Sequence, residues 1–417
     1  MFQERRSRLV SLLKHRKKWQ KKSHRGNILV LSAILMVVMM GMVAFGVDVG
    51  YTVLVRTQLQ SAADSAALAG ASALPDGPTP TKTRAQGLAE LNQVDSVSVS
   101  IVPDDDIELG RWNDVNQTFQ ALTGSQEQNA NAVRVRCCVD EARGNAAELF
   151  FAGIFGQDSA NVDAWAVATI DPICGIFIGD LSADLNGNGA YTDSYDSKLG
   201  SYGSQTPGDH GHLCSNGHIN VQNGIVNGNA TPGQGHSVSM NQGSVTGSTT
   251  PRTDHLHLLP VDFGNVATNN DNGNLTSPPY VPAQVKFKHN GGEYYLPPGT
   301  YYFTDFSVTG GPIIVDGPVT IYVMGDFKTS GQAIVNETQI PGNLRIFAQG
   351  KDVKISGGSD FYGVVYAPSS YVEVTGTAAF YGGAVGKTLK LHNSGGVHAD
   401  ESVSLLKDFP SRPNLVQ

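Results

Sequence analysis

The chain has 417 residues, 48 of them glycine and only 8% aromatic, with a net charge of -8. That length exceeds a single compact core and indicates several modules. The charge is split: residues 1–25 hold ten Lys and Arg against one Glu, leaving 19 basic and 36 acidic residues beyond them, a balance that excludes a nucleic-acid-binding body.

The stretch from Arg25 to Leu74 organises the rest. Between Arg25 and Asp48 no side chain is charged, and Ile28 to Val47 supplies about twenty apolar or small positions, enough to cross a bilayer as a helix. Residues 1–25 are expected to form a basic cytoplasmic tail, so under the positive-inside rule the bulk of the chain is expected outside the cytoplasm. The apolar run is longer than the core of a cleavable signal peptide, so the segment is expected to be retained. Beyond Asp48, Tyr51, Val55, Leu59, Ala62, Ala66 and Ala69 recur at three- and four-residue steps, predicting one helix over 26–75 that leaves the membrane as an amphipathic helix. Its small residues, Ala62, Ala66 and Gly70 beside Ala63, Ala67 and Ala71, suit close packing within the chain.

The prolines between Pro75 and Pro80 end that helix. An α+β module is predicted over 76–171: a helix from Thr81 to Val94, short strands at 97–101, 107–112 and 132–139, a short helix from Ala146 to Phe155 closed by Gly156, and a last alternating strand at Val162, Ala164, Ala166 and Ala168.

The runs RGN, the apolar segment, VDVGYTVLVRTQLQSAADSAALAGASAL and VRVRCCVDEARGNAAELFFAGIFG resemble the N-terminal region of TadG-like proteins of the Tad (tight adherence, Flp pilus) system, over roughly residues 24–170. The resemblance implies a single-pass inner-membrane protein that works with pilus or secretion components. The fifth residue counted from Asn27 is Leu31, where a type IV prepilin would carry Glu, so prepilin processing is not expected.

From Cys174 onward Gly, Asn, Ser and Thr dominate and a repeat emerges. Ile219, Val221, Gly224, Val226 and Pro232 recur 19 residues later as Val238, Met240, Gly243, Val245 and Pro251. Val353 and Phe361 recur as Val372 and Phe380, again 19 apart, while Phe306 and Phe327 differ by 21 and Val372 and Leu389 by 17. Short strands at this period predict an all-β right-handed β-solenoid, in two parts at 172–251 and 299–405 around an irregular insertion at 252–298, with 406–417 as a tail. This half resembles the glycine-rich β-helical domains attached to PilX- and TadG-like anchors.

Candidate chemistry is sparse. Asp184, Asn186, Asn188 and Asp193 follow the start of a calcium loop, but the twelfth position is Tyr195 and not Glu, so no metal is expected. Cys174 and Cys214 are a possible disulfide in an exported chain, whereas Cys137 and Cys138 are adjacent. The pairs His210/His212 and His255/His257 lack a third ligand, and Asp400, Ser402 and Ser404 match the DxSxS start of a von Willebrand A adhesion site with only thirteen residues left to build the domain. Lys354 and Glu373 align across one repeat and suit an ion pair. No cofactor and no catalytic residue is expected, against the alternative of a polysaccharide-active β-helix enzyme, which needs clustered charges on one face. The expected partners are inner-membrane lipid, Tad/Flp pilus or secretion components and, in a second reading as an envelope binding module or adhesin, surface polysaccharide.

Overall fold

A computed structural model describes residues 27–113, 116–331, 334–407 and 409–417; the basic tail lies outside these. The described residues form two units, one comprising the chain up to Gln58 with Cys138–Asp163, the other Leu59–Cys137 with Ala164–Gln417. A single helix, α1 (Asn27–Ala73), runs through the boundary between them.

In the first unit every side chain from Ile28 to Val43 is exposed, Ile28 at 74% and Met42 at 69%. Among the described residues α1 is the helix long and apolar enough to span a membrane. The segment 146–155 departs from the predicted helix. Ala147–Glu148 pairs antiparallel with Ser159–Ala160, and only Ala152–Phe155 coils, as a 3₁₀ turn ended by Gly156 at φ 82°. An apolar run without a polar face has no helical side to bury here, and Gly153 and Gly156 favour turns over helix.

In the second unit α1 buries Leu59 and the small residues Ala62, Ala63, Ala66, Ala67 and Ala71, each at 0% exposure. A Cβ added to Gly70 would lie 3.1 Å from Ala85 Cβ and 3.2 Å from a Val133 methyl, so the small stripe packs within the chain. Helix α2 runs Pro78–Leu91, three residues earlier than predicted, because a proline at the first helical position gives up no hydrogen bond. Its buried side is Thr81, Ala85 and Ala89, and Leu91 is exposed. The sheet beneath has five strands in the order Ser411–Leu415, Val162–Pro172, Ala132–Val139, Ile107–Asn113, Thr118–Ala121. Residues 411–415, expected as tail, pair antiparallel with 168–172 and form an edge strand of this sheet.

Parallel ladders fill the rest. Ile219 pairs with Val238, Val226 with Val245, Val353 with Val372 and Phe361 with Phe380, the partners expected from the repeat. Phe287, Phe306 and Phe327 stack face to face with centroids 4.8 Å apart, the spacing of neighbouring strands. Asn223 and Gln242, 19 residues apart, both adopt positive φ, so the same corner recurs. The ladder also starts earlier than predicted: Lys286–His289, assigned to the insertion, pairs with Asp305–Val308 at the same 19-residue offset.

The order of stacking differs from the order in sequence. Phe177–Asn186, the first strand of the first part, pairs with Phe380–Asn393 of the second part on one side and with Leu213–Ser215 and His218–Gln222 on the other. Val397–Asp400 completes that level, between Phe380–Gly382 and Thr192–Tyr195. A terminal level of strands exposes its apolar residues and unpaired backbone; here the two parts cover each other's free ends, so the start and finish of the β region meet in the middle of one stack. The intervening connection is tied along it. Asn216 bonds both the N–H and the carbonyl of Leu256, Tyr366 donates to the Leu259 carbonyl at 2.6 Å, and Phe263 packs on Tyr322 and Tyr302.

Candidate functional site

Within the first unit, the site with most chemistry per residue is the end of the apolar part of α1. Asp48 is 6% exposed, the first carboxylate after the uncharged run. Its oxygens accept from three consecutive backbone N–H groups: Phe150 at 2.8 Å, Phe151 at 3.0 Å and Ala152 at 2.7 Å. A carboxylate bonded this way satisfies the donors that a turn's start leaves free and fixes the loop to the helix. One turn along, Tyr51 meets Phe150 edge to face at 5.2 Å. The loop held there exposes Phe150 (66%), Ile154 (81%) and Phe155 (88%). Sequence reasoning gave Asp48 no role beyond marking the exit. The available signal was a lone carboxylate after the uncharged run, and a second uncharged apolar run, LFFAGIFG, a hundred residues on.

Three of the calcium candidates, Asp184, Asn186 and Asp193, have protein partners. Asp184 accepts from Asn220 at 2.6 Å, Asn186 donates to Gln222, and Asp193 is buried with Tyr202 and His398, each 2.6 Å away. Among the described residues no group of three or more His, Cys, Asp or Glu is placed to hold a metal. Cys174 and Cys214 are bonded, with Cα atoms 6.0 Å apart, while Cys137 and Cys138 are buried free thiols. Lys354 and Glu373 are cross-strand partners at 3.4 Å. The rings of His255 and His257 face each other, with centroids 5.3 Å apart.

A second cluster sits where the two parts of the stack join. His398 is 1% exposed, bonded to Asp193 and stacked on Tyr381 at 4.5 Å. Asp400 is fully buried and accepts from Ser197 N (2.9 Å), Ser197 Oγ (2.7 Å), Ser402 N (3.1 Å) and Ser402 Oγ (2.8 Å). Burial still pushes its carboxyl up to about 6. Burial also works to raise Glu401, but His210, the Ser194 hydroxyl and the Arg111 charge together outweigh it and hold that carboxyl low. His212 is depressed to about 4, chiefly by burial and then by His210. Asp196 is paired with Arg111 of the five-stranded sheet. The DxSxS residues are thus structural: Asp400 binds serines across the joint. A cleft of about 530 Å³ beside it is lined by His210, His212, Arg252, Asp254 and Glu401, in which His210 pairs with Glu401, Arg252 pairs with Asp254 and His212 accepts from the Asn229 N–H.

Comparison with known proteins finds family matches to three stretches of the chain. Residues 26–73 match the family described as putative Flp pilus-assembly TadE/G-like, and residues 58–168 the one described as putative Tad-like Flp pilus-assembly. Residues 305–406 match a domain of unknown function, DUF7305. No curated protein matches the chain. Among solved structures, the crystal structure of the competence-associated pilin ComZ from Thermus thermophilus aligns with 79% of this chain and 91% of its own, at 11% identity and a TM-score of 0.29, too distant to define a shared fold. The two pilus-assembly matches, continuous over 26–168, make the chain a structural component of pilus assembly, with an apolar N-terminal helix that fits a membrane anchor.

Proposed function

We propose that the protein is a single-pass, non-enzymatic component of a Tad (Flp) type pilus or of a related secretion or adhesion system. Residues 28–47 hold it in the inner membrane, the basic tail faces the cytoplasm, and the module and a β-solenoid built from 177–245 and 280–400 project to the other side. The observation that carries this reading is the unbroken pair of pilus-assembly matches over 26–168, which coincide with an exposed apolar helix joined to a small sheet. The solenoid reading is supported by parallel ladders at a near-19 period with stacked phenylalanines. Such a stack is stiff and offers a long face for neighbours, which suits a spacer or docking element more than a reaction centre.

The test is genetic and structural together. Deleting the chain in its host should abolish surface pili counted by electron microscopy, and the full chain, but not one lacking 28–47, should restore them. Normal piliation in the deletion strain refutes the proposal. Protease added to spheroplasts should digest the chain beyond Tyr51; protection of that part by an intact inner membrane refutes the orientation.

A further inference from the structure

We infer that the loop Leu149–Phe155 is a second membrane contact, and that Asp48 is the latch that holds it at the bilayer surface. The inference rests on the reading of α1 as a membrane anchor and adds a lipid-facing element that no part of the helix supplies.

Depth comes first. Ile28–Val47 is 20 residues, about 30 Å of helix at roughly 1.5 Å per residue, so Asp48 marks the level where hydrocarbon gives way to headgroups. The carboxylate binds the N–H groups of Phe150, Phe151 and Ala152, which sets the loop at that same level. Composition comes next. From Leu149 to Gly156 no side chain is charged, and Phe150, Phe151, Ile154 and Phe155 are 41–88% exposed. The exposed faces are continuous: Phe45 (72%), Val49 (45%) and Val53 (59%) of α1 flank the loop, with an apolar groove of about 380 Å³ between them. Four large apolar side chains held in water beside a membrane span gain by entering it.

Backbone chemistry removes the usual obstacle. Irregular chain is excluded from hydrocarbon because its N–H and C=O groups go unpaired. Here Asp48 takes three N–H groups, and Ile154, Gly156 and Gln157 donate to Phe151, Gly153 and Ala152 within the turn. The loop carries no charged or polar side chain of the kind that rims a protein interface, whereas a lipid surface needs only apolar area at the right height.

The test uses the full chain in phosphatidylethanolamine/phosphatidylglycerol vesicles, with F155W measured against the parent chain so that Trp19, Trp112 and Trp165 are subtracted. Position 155 is exposed, so the exchange does not disturb packing. Replacing the lipid with one brominated at carbons 6 and 7 should quench the added indole at least threefold and leave its emission blue-shifted. D48A in the F155W background should cut that quenching by half or more while the chain stays in the vesicles after an alkaline carbonate wash. An added indole that emits as in water, with the chain still wash-resistant, overturns the inference and leaves the anchor standing; a partner protein would then be the loop's occupant. Unchanged quenching in D48A overturns the latch. Loss of the chain in the wash overturns the anchor and this inference with it.

Discussion

Asp400 lies at the joint of the stack, fully buried, and its carboxyl is raised to about 6 by burial, against hydrogen bonds from the Ser197 N–H and the Ser197 and Ser402 hydroxyls that oppose the shift. An unfolded aspartate titrates near 3.9, so the native state binds this proton more tightly than the unfolded one. Stability from this group is therefore present below about pH 4 and is lost as the pH rises through about 6. Raising this carboxyl from about 3.9 to about 6 corresponds to about 3 kcal/mol. D400N keeps the shape and removes the charge. Urea unfolding of wild type and D400N in detergent, followed by near-ultraviolet circular dichroism, isolates the term from all other titrating groups. The stability of D400N relative to wild type should climb by about 3 kcal/mol between pH 4 and 6.5 and stay level above. A constant offset caused by the new amide does not matter; the slope does. A difference curve that is flat, or that falls with pH, would show that the serine donors already stabilise the ionised form, and the burial argument would fail.

His212 should act with the opposite sign: its folded pKa near 4 lies below the unfolded value of 6.5, so its contribution is full above about pH 6.5 and is lost as the pH falls toward 4. H212Q should flatten that acid limb, by about 2 kcal/mol after allowance for a half-buried ring, in the same urea titration. F306A removes the middle ring of the Phe287–Phe306–Phe327 stack and should cost about 3–5 kcal/mol, read as a lowered urea midpoint with an unchanged slope. The Cys174–Cys214 bond closes a separation of 40 residues, so C174S/C214S, or reductant on wild type, should lower stability by about 2–4 kcal/mol; no change under reductant would place the bond outside the part that unfolds first.

The candidate sites were legible to differing degrees. Cys174 and Cys214 were named together from the chain alone, while the bond from Asp193 to His398, 205 residues away, is a contact that no local pattern contains. The difference at 146–155 is partly local and partly distant. LFFAGIF has helix-like content, but Gly153 and Gly156 limit it to a turn at Ala152–Phe155, and the carboxylate that caps the start of that turn lies 102 residues earlier in the chain.

The sequence alone determined what depends on neighbours a few residues apart or on a repeated spacing. These are the uncharged run of α1, the small-residue stripe that follows, and the 19-residue offset that fixes which residues pair between adjacent strands. Periodicity is a local property, so it can be read before folding. Only the tertiary structure decided that the first strand of the β region inserts beside Phe380–Asn393, that residues 411–415 close the sheet of the module, and that Asp48 reaches the loop at 150–152. The offset says which residues pair along a ladder and nothing about which end of one part meets the other. That choice is made by covering two exposed terminal strands at once, a gain that exists only when both are in place.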